Sequence, residues 1–410
     1  TILKDTKGTP PQAGIDWEPD WERLLDVSMT NCYIANNRVK GIDLHLYRPA
    51  WKGPKTLTMT FDNCHVDSDT DVQGIALNID EIDDAEGADG AITFNRCSFK
   101  NRTMYNTIFI SDKSALKAKV TFNECYIDQF NSGGSVISLE TTESSLRDAM
   151  TYGGLEFNNC IVNDKYNRNF MTFDDRSATG KGIRDVKGTF TVNNPFGAKY
   201  ELGTVKQNIN VQVKENKSTP PIINISSPLK YSRIEKGSNL TVTSPASDSD
   251  VGTTNGAGIE KVIYEIQYAG EIVHSAEDTQ APYTFNVSTE GWQRGIYLVK
   301  AIAVSSNLQT RNISVIPFEI VSSDILTAIK PSEEVKNAIT LFPNPTKNEL
   351  FINRSFNESA SYEITSIDGK LLQTGEAGEH AINIENLKPG FYIIKIKTEV
   401  GETVQRFVKE

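Results

Sequence analysis

Before about residue 213 the chain alternates apolar and polar residues over short stretches, with almost no helical spacing. The stretches GIDWE (14–18), GIDLHLY (41–47), GIALNID (74–80), TIFIS (107–111), VISLE (136–140) and FMTFD (170–174) have the two-residue period of half-buried strands. In that phase Ile15/Trp17, Ile42/Leu44/Leu46, Ile75/Leu77/Ile79, Ile108/Ile110, Ile137/Leu139 and Met171/Phe173 face one side. A second phrase recurs between them: MTNCYI (29–34), FDNCHV (61–66), FNRCSF (94–99), FNECYI (122–127) and FNNCIV (157–162). A sixth copy, FTVNNP (190–195), lacks the cysteine.

Cys32, Cys64, Cys97, Cys125 and Cys160 are 32, 33, 28 and 35 residues apart. A repeat of this length marks a solenoid, in which stacking buries what one coil cannot bury alone. Strands and turns without helices predict an all-β chain beginning with a right-handed parallel β-helix, residues 1–213. Phe61, Phe94, Phe122 and Phe157 are expected to stack inside. Asp62, Asn95, Asn123 and Asn158 are expected at the turn, where Asn and Asp tolerate a left-handed backbone. The cysteines are odd in number, with no CxxC pair or nearby histidine cluster, so buried free thiols are expected rather than disulfides or a metal site.

Two further β-rich regions follow. KENKSTPP (214–221) reads as a linker, and residues 219–322 carry short alternating strands with turns, the pattern of a β-sandwich. PPIINISSP, SDSD, APYTF and GIYLVKAIAV resemble the Ig-like modules of bacterial secreted carbohydrate-active enzymes. Residues 335–410 are expected to form a second small β-sandwich. There FPNP, ELFI, SIDGKLL and LKPGFYIIKI resemble the C-terminal sorting domain of type IX secretion substrates. That resemblance implies a Bacteroidetes-type bacterium, contact with the secretion machinery, and a secreted or surface-anchored product from which the domain is usually removed.

Composition narrows the partners. The formal net charge is −11, which argues against nucleic acid. No apolar run is long enough to span a membrane, and a monomer is expected. The chain opens at Thr1 without Met or a signal-peptide pattern, and six coils are few for a β-helix, so further coils are expected upstream.

The repeat phase also locates candidate chemistry. With Ile15 and Trp17 inside, Asp16 and Glu18 face outward, and Asp43 and His45 follow in the same columns. Ala76 and Asn78 are expected next, then Phe109 and Ser111. Stacked strands put Asp16 and Asp43 about 5 Å apart, and strand spacing puts Asp16 and Glu18 about 7 Å apart. Glycoside hydrolases hold two carboxyls at such separations, and crowded carboxylates push their pKa values apart, leaving one as the acid. Asp16, Glu18 and Asp43 are therefore the catalytic candidates. His45 is a supporting acid, base or tuning group. Trp21, Arg23, Tyr47, Arg48 and Trp51 are candidates for sugar stacking and hydroxyl or carboxylate contacts.

The segment GTPPQAGIDWEPDWERL (8–24) resembles a phrase of carbohydrate-active β-helix proteins, and the chain as a whole resembles the pectate-lyase-like superfamily. A secreted polysaccharide-degrading glycoside hydrolase is the leading expectation. The polygalacturonase motif set and the pectate lyase pattern are both missing. A calcium-dependent polysaccharide lyase is the first alternative, with Arg23 or Arg48 as base and a cation on Asp16, Glu18 and Asp43. A non-catalytic adhesin or glycan-binding protein is the second, and plain solvated surface also fits outward polar residues. Asp248 and Asp250 of SDSDVGTTNGAG (247–258) offer oxygen ligands to calcium without EF-hand spacing, against a plain polar loop. The acidic run DEIDDAEGAD (80–89) reads mainly as a solvated insertion. His65, His274 and His380 are assigned no role.

Overall fold

The computed structural model describes residues 1–6, 13–17, 26–45, 56–67, 73–80, 89–103, 105–112, 118–131, 133–141, 153–175, 185–201, 209–322, 339–342, 346–354, 360–366, 370–377, 382–398 and 401–410. Among these every regular element is a strand. Two compact units result, Thr1–Val321 and Ser322–Glu410.

The repeats stack as a parallel β-solenoid. One ladder runs through Ala13–Trp17, Val39–His45, Gln73–Asp80, Ile108–Asp112, Ile137–Thr141, Met171–Asp175 and Tyr200–Glu201. The cysteine phrases form a bent sheet with two arms. Asp26–Thr30, Thr56–Asp62, Asp89–Asn95 and Lys119–Asn123 make one arm, and Tyr33–Ala35, His65–Asp67, Ser98–Asn101 and Tyr126–Gln129 make the other. The arms join in Leu155–Asp164, which pairs with Lys119–Asn123 along its first half and Tyr126–Gln129 along its second.

The phenylalanines stack inside as expected. Successive ring centroids are 4.8 Å (Phe61–Phe94), 4.9 Å (Phe94–Phe122) and 4.7 Å (Phe122–Phe157) apart, near the spacing of stacked strands. All five cysteines are free and buried. The Cys97 thiol donates to the Phe61 carbonyl of the preceding coil at 3.3 Å, and Cys125 likewise to Phe94 at 3.5 Å. The turn differs from expectation by one residue. The left-handed residue is the one touching the cysteine, namely Asn31, Asn63, Arg96, Glu124 and Asn159, with φ between 51° and 54°. Asn95, Asn123 and Asn158 instead form a side-chain ladder, with amide-to-carbonyl distances of 2.8 and 2.9 Å. Each amide thereby has a partner on the neighbouring coil.

Residues 219–321 do not hang from a spacer. A five-stranded sheet (Arg233–Glu235, Arg311–Val321, Gly295–Ser305, Ile259–Tyr268, Glu271–Asp278) and the pair Asn239–Thr243 with Thr284–Ser288 share a core that includes Val242, Tyr264, Val299 and Phe318. The outer side of the five-stranded sheet then packs on the solenoid. Leu298, Ile302, Ile313 and Val315 bury Tyr33, Ala35 and Tyr126. The Lys100 ammonium donates to the Ile313 carbonyl at 2.5 Å, and the Asn63 amide donates to Gln267. His65 sits inside this contact between Ser98 and Asn63, and burial holds its pKa well below the ordinary value. It is a neutral, hydrogen-bonded interior histidine.

The second unit has its own core of Leu350, Ile364, Ile384, Ile394 and Phe407. Its four-stranded antiparallel sheet runs Leu371–Ala377, Ala360–Ser366, Gly390–Thr398 and Gly401–Lys409.

Candidate functional site

Asp16 and Asp43 are register partners on adjacent strands, as the repeat phase predicts. Asp16 is exposed, whereas Asp43 is completely buried and His45 nearly so. Ile42 and Leu44 point into the solenoid core, so Asp43 and His45 occupy the other face of their strand.

The third coil departs from the expected alignment. Val39 pairs with Gln73, but Lys40 pairs with Ile75, so Gly74 is an extra residue in a β-bulge. A Cβ on Gly74 would lie 2.7 Å from the Val39 carbonyl oxygen, which only glycine avoids. Val39 has φ 73°, a strained value for a β-branched residue. Aligning Gly41 with Gly74 is therefore two residues out of register. The actual partners of Asp43 and His45 are Asn78 and Asp80.

That shift completes a charged network. His45 Nδ1 is 2.5 Å from Asp80 Oδ1, and His45 Nε2 is 3.1 Å from Asp43 Oδ2. Lys40 Nζ donates to Asp43 Oδ2 at 2.6 Å. Asn78 Nδ2 donates to Asp43 Oδ1 at 2.7 Å and to Asp80 Oδ2 at 3.2 Å. Burial alone would push the Asp43 carboxyl up, but the hydrogen bonds from His45 and Lys40 outweigh it and hold the group below the ordinary carboxylate range. Burial likewise opposes charge on His45, yet its bonds to Asp43 and Asp80 raise it to about 10. The ring is an imidazolium clamped between two carboxylates.

Asp16, Asp43 and His45 each offer a ligand atom within 4.8 Å of the others, the only such group among the described residues. Proximity is not enough for calcium, which takes six to eight oxygens. Both Asp43 oxygens are already engaged, and Lys40 and His45 supply positive charge at the spot a cation would fill. These residues do not fit a calcium ion.

Sequence reasoning overlooked Lys40 and left Asp80 in the acidic run. The bulge glycine is the signal that would have found them. Glu18, Trp21, Arg23, Tyr47, Arg48 and Trp51 lie outside the described residues, as do His380 and positions 81–88 of the acidic run. His274 stacks on Trp292 at 5.0 Å. The calcium candidates in 247–258 make hydrogen bonds within the chain. Asp250 Oδ2 accepts from the Ser218 hydroxyl at 2.8 Å and the Thr219 amide at 2.7 Å, tying down the linker. Asp248 Oδ1 accepts the Asp250 amide at 3.0 Å.

Residues 340–410 match the secretion system C-terminal sorting domain. The chain is secreted or held at the cell surface. Among the described residues no helix is long and apolar enough to cross a membrane. No curated protein matches the sequence. Among solved structures, the chain is similar to the fibronectin(III)-like modules of CbhA from Clostridium thermocellum, at 18% identity over 46% of this chain and 93% of that one, with a TM-score of 0.21. Latent PorU from Porphyromonas gingivalis gives 14% identity over 49% of this chain and 22% of that one, with a TM-score of 0.18. A Parabacteroides merdae β-glucuronidase gives 12% over 47% and 25%, with a TM-score of 0.22. The chain thus spans a quarter or less of the last two, and at these TM-scores none carries an argument.

Proposed function

We propose that this secreted or surface protein acts on polysaccharide chains laid along the ladder that carries Asp16, and that its reaction is glycoside hydrolysis. The observation behind this reading is the convergence of Asp16, Asp43, His45 and Asp80 from three successive coils. Their roles differ from simple pairing. Asp43 has both oxygens committed and no exposure, so it serves as a fixed negative charge that orients His45. Asp16 is the exposed carboxylate, able to meet a substrate. Glu18, which lies outside the described residues, is the partner acid or base to test, because the sequence alternation expects it about 7 Å from Asp16, the carboxyl separation of inverting glycosidases.

A second reading, glycan binding without turnover, is favoured by the saturation of Asp43, which leaves one described carboxylate exposed in this group. The Ig-like character of residues 219–322 belongs to the same proposal, as a module supporting an extracellular carbohydrate-active solenoid.

The test is an assay of the full chain on plant and marine polysaccharides, beside Asp16→Asn and Glu18→Gln. Hydrolysis predicts new reducing ends, with each variant slowed at least 100-fold. Unaltered turnover in both variants would falsify the assignment. Products carrying a new double bond would point to a lyase. Binding without products in the wild type would leave the glycan-binding reading.

A further inference from the structure

A cleft of about 510 Å³ opens where the solenoid meets residues 219–321, on the sheet of cysteine-phrase strands and away from the Asp16 ladder. Its size falls within the usual range of small-ligand pockets. Asp128 and Asn163, register partners on adjacent coils, line one wall. Phe130 and the linker residues Pro220 and Pro221 supply apolar surface.

Asp128 is 1% exposed, and neither of its carboxylate oxygens has a hydrogen bond. Lys100 is the nearest cation, at 3.8 Å, but its ammonium donates to the Ile313 carbonyl instead. Lys100 and Asn163 favour its charged form from nearby, but a buried carboxylate with no hydrogen bond of ordinary length is costly and rare. Burial raises its pKa to about 6, so near neutral pH it is still mainly an ionised acceptor. The Arg102 guanidinium lies 4.9 Å from the Phe130 ring centroid and fixes that ring at the cleft.

The ligand must therefore offer hydrogen-bond donors to Asp128 and an apolar face to Phe130 and the prolines. A carboxylate-rich or purely apolar molecule lacks the donors, whereas a pyranose ring has hydroxyl hydrogens on its rim and C–H groups on its faces. We propose that this cleft is a saccharide-binding site, in which Asp128 accepts from sugar hydroxyls and Phe130 packs against a ring. Nothing in this inference depends on the reaction assigned to Asp16. It gives the junction between the two β-rich parts a task of its own, holding a glycan while leaving the other ladder open.

Calorimetric titration of the full chain with cellobiose, xylobiose and mannobiose tests it. The Asp16→Asn background is used throughout, so that turnover cannot consume the probe. At least one disaccharide is expected to bind, and Asp128→Asn and Phe130→Ala are each expected to weaken it tenfold or more. Binding should also fade as the pH drops below about 6, and Asp128→Asn should remove that dependence. Phe130→Ala decides the matter if Asp128→Asn fails to fold. No binding by any of the three sugars, or binding that both folded variants retain at full strength, overturns the proposal.

Discussion

His45 and Asp80 are 35 residues apart in the chain, yet His45 Nδ1 and Asp80 Oδ1 are 2.5 Å apart. Asp43 holds the opposite ring nitrogen, so the imidazole is charged at neutral pH. A group whose folded pKa is raised stabilises the fold fully below its ordinary value, here 6.5, and loses that contribution as the pH rises through its folded value of about 10. His45→Gln is therefore expected to be less stable than wild type by about 2 kcal/mol at pH 6. The difference should shrink by pH 10. Urea unfolding of both chains at pH 6, 8 and 10 checks this, and a constant difference across that range would count against a charged His45.

Gly74→Ala should damage the site without touching a charged residue. The added methyl meets the Val39 carbonyl oxygen at 2.7 Å, and backbone cannot step aside cheaply. A cost of about 1–3 kcal/mol is expected from such overpacking. Because the bulge sets which residue faces His45, the pH dependence described above should weaken as well. Unfolding curves at two pH values measure both effects.

The inner seam yields a chemical prediction. A thiol reagent such as Ellman's should find no reactive group in the folded protein and five after unfolding in guanidinium. Burial raises the Cys125 thiol well above its ordinary pKa, which suppresses the reactive thiolate. Phe94→Ala, at the centre of the ring stack, should cost about 3–5 kcal/mol and make the thiols reactive at lower denaturant concentrations.

Removal of residues 340–410 should abolish delivery. The truncated chain is expected inside the cell envelope, with the intact chain in the medium or on the surface. Cell fractionation followed by immunoblotting distinguishes the two, and normal export of the truncated chain would contradict a sorting role.

The solenoid was legible because its evidence is repeated. The alternation recurs from coil to coil and five copies carry the cysteine phrase, so an error in one coil is corrected by the next. Asp16 opposite Asp43 came from that redundancy. Asp80 did not, because the third coil pairs two residues further along than Gly41 opposite Gly74 implies, a shift that the apolar run Ile75, Leu77, Ile79 tolerates in either register. The left-handed residue was misplaced for a related reason. Arg96 and Glu124 occupy it in two coils, and neither has the side-chain chemistry that usually marks such a position. The packing of Leu298, Ile302, Ile313 and Val315 over Tyr33 and Tyr126 had no periodic trace at all. It joins surfaces more than 150 residues apart, and each half reads alone as ordinary strand alternation.

That packing also has a mechanical side. A stack of coils held only by its neighbours can peel from an end, one rung at a time. Here the five-stranded sheet bridges the first and fourth cysteine-phrase coils through Tyr33 and Tyr126, with Lys100 tied to it in between. The brace turns a zipper into a block. Loss of one rung then means breaking contacts on several at once, so the coils from Tyr33 to Tyr126 should unravel together rather than in sequence.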